Sequence, residues 1–89
     1  MSSAEIETLD QLLGGELPLA VIRQFYSDDA AFIRGILGLL IAGDVRIIGQ
    51  DKSDVLEWQW RELFVEGAVL EKLSSFRLDI TEQGAKKVS

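Results

Sequence analysis

Apolar residues recur along the first half of the chain with the spacing of helices. Ile6, Leu9 and Leu12 fall on one helical face, and Ser2 precedes Glu5 by three residues, as in a capping box. Glycine and proline then punctuate the pattern, since glycine suits the end of a helix and proline its first turn. The pattern predicts three helices, over about residues 3–13, 18–26 and 28–42.

The third of these segments has the strongest helical pattern. Ser27 is a suitable N-cap, and Asp28 and Asp29 lie where the helix dipole favours negative charge. From residue 30 to residue 42 the segment is apolar on nearly every side, with Arg34 as its one charged residue. A helix that is apolar all round is normally buried, so we expect this helix at the centre of the fold and ending at Gly43.

The pattern after Gly43 first indicates a short β-rich strand over residues 45–48 and then becomes ambiguous over residues 54–66. As a helix, the second segment places Leu56 and Trp60 on one apolar stripe. As a strand, it alternates Leu56, Trp58 and Trp60 with polar residues. Because the alternation breaks after residue 61, we favour the helix.

Two further apolar runs, over residues 68–73 and 76–81, predict a β-hairpin that turns at Ser74 and Ser75. Residues 82–89 are polar and indicate a short helical turn or a frayed tail. The expected fold is a single small α+β domain, with a helical N-terminal half followed by a helix and an antiparallel β-hairpin.

Three stretches of the chain resemble winged-helix proteins. Residues 60–72 resemble the end of a recognition helix that runs through a glycine into a wing strand. Residues 76–84 look like the second wing strand and its Thr-x-x-Gly turn, and residues 36–46 look like the first helix and first short strand. The resemblance covers about residues 30–88 and implies a winged-helix-like fold and DNA binding. A rival layout, three helices followed by a four-stranded antiparallel meander, remains open.

The composition excludes many kinds of catalytic chemistry. The 89 residues contain no histidine and no cysteine, which removes imidazole acid–base catalysis, thiol nucleophiles, disulfides and Cys/His metal sites. The only adjacent carboxylates are Asp28 and Asp29, whose place at a helix start already accounts for them. We therefore expect a non-enzyme with no cofactor and no metal.

The charges argue against nucleic acid as the main partner. Nine Lys and Arg stand against fifteen Asp and Glu, for a net charge of −6. Phosphate contacts need cations, yet residues 54–66 carry one arginine against four acids. Under the alternative hypothesis of a winged-helix DNA-binding transcriptional regulator, the contacts would come from the basic residues of the second half. These are Lys72, Arg77, Lys86, Lys87, Arg46 and Lys52.

The aromatic residues favour a protein partner instead. Tryptophan and tyrosine are enriched at interface hot spots, and Trp58, Trp60 and Tyr26 are the candidate interface residues. If residues 54–66 are helical, the two tryptophans cannot share a face, so one packs inward and the other is partly exposed. We predict a regulatory or adaptor domain that binds a protein or a second copy of itself, since a homodimer would extend the small core.

The N-terminal pattern gives no sign of a secretory signal, because its first charges are two acids. The longest stretch without a charge has nine residues, from Gly35 to Gly43, and a membrane span needs about 20. We expect no membrane association and a cytoplasmic location.

Overall fold

Five α-helices and three short β-strands make up the computed structural model, which describes residues 2–88. This arrangement confirms the expected small α+β fold with a helical N-terminal half. In chain order the elements are α1 (Ser3–Leu12), β1 (Leu17–Pro18), α2 (Leu19–Ile22), α3 (Asp29–Ala42), β2 (Val45–Ile48), α4 (Glu57–Val65), β3 (Arg77–Ile80) and α5 (Glu82–Val88).

The three strands form one antiparallel sheet in the order β1-β3-β2, so the last strand in sequence lies in the middle. Leu78 of β3 pairs with Leu17 on one side and Ile47 on the other. β1 is only two residues long and contains Pro18. On the far side of β2, Ser53 and Val55 pair with its end, since the amide of Val55 donates to the carbonyl of Ile47 over 3.0 Å.

Helix α3 lies at the centre of the fold, as its apolar sequence predicts. Phe32 and Ile36 are fully buried, and Gly43 ends the helix in the left-handed conformation with φ of 81°. The N-cap is Asp28 and not Ser27, because the Asp28 carboxylate accepts a 2.7 Å hydrogen bond from the amide of Ala31.

The predicted helix over residues 18–26 is shorter than expected. Pro18 belongs to β1, and α2 has four residues before it tightens into a 3₁₀ turn over Arg23–Phe25. The predicted tail is a helix, α5, that begins where Thr81 accepts a hydrogen bond from the amide of Gly84.

The predicted strand over residues 68–73 is wrong, and so is the hairpin built on it. Gly67 takes the left-handed conformation with φ of 76°, and Ala68–Glu71 then form a 3₁₀ turn that buries Val69 completely. A short apolar run fits a strand or a helical turn equally well. The strand predicted over residues 76–81 does form, but β3 takes its partners from β1 and β2.

The helix favoured over residues 54–66 is confirmed, although it starts at Glu57. Asp54 lies before the helix and bridges to Ile48 of β2, which keeps that part of the chain extended. The rival four-stranded meander is wrong, since the segment that carries both tryptophans is helical.

Helix α5 closes the fold by docking on the junction between α3 and β2. The side chain of Asp44 is fully buried there and accepts hydrogen bonds from Lys87 Nζ at 2.8 Å and Gln83 Nε2 at 3.2 Å. Gly84 packs directly on the carbonyl of Asp44, where a β-carbon would collide with the backbone. The hydroxyl of Thr81 donates to the carbonyl of Gly43. The Thr-x-x-Gly sequence is therefore a docking motif between α5 and the core.

Candidate functional site

The solvent-facing side of α4 carries large apolar side chains that the fold leaves uncovered. Trp58 is 61% exposed and Val65 is 70% exposed. They lie seven residues apart, almost two helical turns, and therefore share one line along the helix. Arg61 and Glu62 lie between them and are also exposed. These four residues, Trp58, Arg61, Glu62 and Val65, are called the α4 surface below.

The opposite side of α4 fixes the helix to the core. Phe64 is 1% exposed, and its ring centroid lies 6.4 Å from that of Phe32 on α3. Trp60 is 7% exposed, and the guanidinium of Arg61 lies 5.2 Å from its ring centroid. At the start of the helix the Gln59 side chain accepts a 3.0 Å hydrogen bond from the amide of Leu56. Trp58 is thus presented on a helix whose position is set before any partner binds.

The charges on α4 are mixed and face the solvent. Arg61 Nε lies 2.9 Å from a carboxylate oxygen of Glu57, an i,i+4 ion pair. Glu62 and Glu66 are exposed. Such an exposed pair contributes only about 0.3–0.5 kcal/mol to helix stability, so a partner can compete for either charge at little cost.

The three candidate interface residues have different environments. Trp58 is the exposed one. Trp60 and Tyr26 are each 7% exposed and belong to the hydrophobic core, so neither forms part of the α4 surface. The hydroxyl of Tyr26 lies 3.0 Å from that of Thr8, and burial raises the pKa of Tyr26 while the Thr8 hydrogen bond lowers it.

Two exposed apolar residues close to Trp58 in sequence, Val65 and Leu56, are not among the predicted interface residues. Val65 is 70% exposed, and Leu56, which the helical pattern places on the apolar stripe with Trp60, is 57% exposed. The seven-residue spacing between Trp58 and Val65 is the signal that would have found Val65. Leu56 had no such signal, because its exposure follows from the late start of α4.

Half of the six candidate nucleic-acid contacts are engaged with carboxylates of the same chain. Arg46 lies 3.0 Å from Asp79, and Lys87 lies 2.8 Å from the buried Asp44. Arg77 Nε lies 2.9 Å from Glu16, a contact that is ionic and not aligned as a hydrogen bond. Each of these cations is partly neutralised before it meets a phosphate.

The other three candidates, Lys52, Lys72 and Lys86, are exposed and form no ion pair within residues 2–88. Lys52 and Arg77 line a shallow depression of about 370 Å³ together with Ser74 and Ser75. Glu16 lines the same depression. The structure thus brings two of the six cations together, beside an acid.

No family model matches the chain, and no curated protein or solved structure shows a significant match to it. The winged-helix resemblance therefore stays a prediction. No helix among residues 2–88 is long and apolar enough to cross a membrane. The same part of the chain contains no group of three or more acidic side chains arranged to hold a metal ion.

Proposed function

We propose that this chain is a small, non-catalytic regulatory or adaptor domain that acts through protein–protein contacts made by the α4 surface. The observation that carries the proposal is the exposure of Trp58, at 61%, and of Val65, at 70%, on the same face of a helix that is anchored by buried aromatic residues. Single exposed apolar side chains are ordinary, but a tryptophan aligned with a second apolar residue forms an apolar surface, and covering that surface with a partner is favourable in free energy.

Most of the free energy of binding should come from burying Trp58. A tryptophan buries roughly 150–250 Å² when it is covered, and residues of this type dominate interface energetics. Because buried Phe64 and Trp60 hold α4 in place, little ordering is needed on binding. Mixed charges around an apolar centre match the polar rim of known interfaces.

Site-specific photocrosslinking tests the proposal. A photoreactive phenylalanine analogue replaces Trp58 in cells that make the protein, and the same analogue replaces the exposed Gln11 on α1 as a control. We expect a protein adduct from position 58 and none from position 11. Adducts of equal yield from both positions, or none from position 58, would contradict the proposal.

The captured protein is then purified and titrated against single variants. Trp58→Ala and Val65→Ala should each weaken binding, Trp58→Ala by about tenfold or more. Val21→Ala is the matched control, because Val21 is exposed at 38% on a different helix. If neither Trp58→Ala nor Val65→Ala weakens binding more than Val21→Ala does, the α4 surface is not the contact.

One observation favours a second candidate function, DNA binding by a winged-helix regulator. Lys52 and Arg77 line one depression with two serine hydroxyls, a set of groups that suits a phosphate. Against it stand Glu16 in the same depression and the net charge of −6. Anisotropy titration with duplex DNA at low and physiological salt tests it. Binding that weakens steeply with salt, and weakens further in Lys52→Glu, would favour DNA over a protein partner.

A further inference from the structure

We infer that the partner of the α4 surface is the α4 surface of a second copy of the chain, packed antiparallel about a twofold axis. This inference rests on the proposed function and goes further by naming the partner and the register. The α4 surface is self-complementary, in charge as well as in apolar contact.

The complementarity follows from the order of residues along the helix. When two copies of a helix pack antiparallel about a twofold axis, a residue that lies a given number of positions before the axis meets the residue that lies the same number of positions after it on the second copy. With the axis between Arg61 and Glu62, Trp58 of one copy lies opposite Val65 of the second copy. Arg61 then lies opposite Glu62 of the second copy. Both contacts occur twice by symmetry.

Within the α4 surface the charge order matches a second copy, because its one arginine and one glutamate exchange partners across the axis. A partner with a basic rim would suit Glu62 but would repel Arg61, and an acidic rim would do the reverse. A second copy satisfies both residues in one arrangement. Glu57 then lies opposite Glu66 of the second copy, but Glu57 is already paired with Arg61 on its own helix at 2.9 Å.

The size of the surface sets the strength of the dimer. Helix α4 has nine residues and is about 14 Å long. An interface centred on it falls at the low end of specific interfaces, so we expect a dissociation constant on the order of 10–1,000 µM. Such a dimer forms at high local concentration and dissociates readily.

Sedimentation velocity on the purified full chain tests the inference, from about 10 µM to about 1 mM at physiological salt. The variants are Arg61→Glu, Glu62→Arg and the double exchange R61E/E62R. Both residues are exposed, so the fold is not at stake, and circular dichroism checks that it is retained. Each single reversal places like charges opposite each other twice and should weaken the dimer by about tenfold or more. The double exchange restores opposite charges and should restore dimerisation.

The double exchange gives the inference its specificity. It breaks the Glu57–Arg61 pair just as Arg61→Glu does, and the new i,i+4 pair that it allows, between position 62 and Glu66, is equally possible in Glu62→Arg, so each effect on the helix itself has a single variant as its control. A chain that stays monomeric at about 1 mM overturns the inference, as does a dimer that no single reversal weakens or that the double exchange fails to restore. In the photocrosslinking experiment, an adduct of twice the 9.9 kDa chain supports the second copy. An adduct with a different protein overturns the second copy and leaves the proposed function standing.

Discussion

The contact between Lys87 and the buried carboxylate of Asp44 should contribute about 2 kcal/mol to the stability of the fold. The test is Lys87→Met, which keeps most of the aliphatic chain and removes the charge. The Asp44 side chain is 0% exposed and the Lys87 side chain is 41% exposed. Removing the ammonium leaves Asp44 with Gln83 as its remaining side-chain donor.

The magnitude follows from how deeply each partner is buried. Breaking a fully buried ion pair by removing one partner costs about 3–5 kcal/mol, and a hydrogen bond to a charged group is worth about 1.5–3 kcal/mol. Lys87 is partly exposed to water, and Gln83 still donates a hydrogen bond to Asp44 in the variant. The range for a hydrogen bond to a charged group therefore applies, and it gives a cost of about 2 kcal/mol. For a domain of this size that loss lowers the melting temperature by roughly 8–16 °C.

The assay is thermal and urea unfolding followed by circular dichroism. Lys86→Met is the matched control, because Lys86 is the neighbouring exposed lysine on α5, and it should change stability by less than about 0.5 kcal/mol. In an Asp44→Asn background the effect of Lys87→Met should shrink to about 0.5 kcal/mol, a coupling of about 1.5 kcal/mol. Equal unfolding midpoints for the two lysine variants would refute the assigned role of the contact.

Three further predictions concern the backbone and the core. Gly35→Ala should destabilise the fold by about 1–3 kcal/mol, because the new β-carbon would lie 2.6 Å from the buried ring of Tyr26. Gly38→Ala meets open space and should stabilise α3 by up to about 1 kcal/mol, and urea unfolding of the two variants compares them. Burial raises the pKa of Tyr26 in the folded state above the ordinary value of 10.0 that it has in the unfolded chain. The stability that the neutral, buried Tyr26 provides is therefore complete below pH 10.0 and is lost as the pH rises through its folded-state pKa. Ultraviolet titration of this single tyrosine should give a midpoint above 10.0, and Tyr26→Phe should flatten the loss of stability at high pH. Lys52 has a φ of 66°, a left-handed conformation that glycine adopts more easily than lysine, so Lys52→Gly should raise the free energy of unfolding by up to about 1 kcal/mol. A urea midpoint that is unchanged or lower would contradict strain at that turn.

The sequence predicts those parts of the fold whose signals are local. Helix α3 follows from its apolar run and its closing Gly43, although its cap is Asp28, one residue after the predicted Ser27, and β2 forms over the residues expected of it. The pattern failed where a distant partner decides the outcome. Val69 and Leu70 fit a strand locally, but β3 pairs on one side with β1, 61 residues earlier at Leu17 and Leu78, and on the other side with β2, so it has no free edge for a further strand.

The candidate site was predictable to a similar extent. The helical spacing predicts that Trp58 and Trp60 point in different directions, and the structure places Trp58 outside and Trp60 inside. Charge counting alone does not show which cations have partners. Arg46 and Lys87 are neutralised by residues 33 and 43 positions away in sequence, and no local pattern shows such pairs.

The sheet has consequences for the way in which any partner can bind. Exposed strand edges invite another chain to add a strand and so promote aggregation. Here one edge is β1, two residues that include Pro18, which has no amide hydrogen. The other edge is covered in part by residues 53–55, since the amide of Gly49 donates to the carbonyl of Ser53 over 2.9 Å. Within residues 2–88 the backbone therefore offers no long template for β-augmentation, and extended peptides are poor probes of this protein. Concentrated solutions should associate through side chains, reversibly, and remain free of fibres.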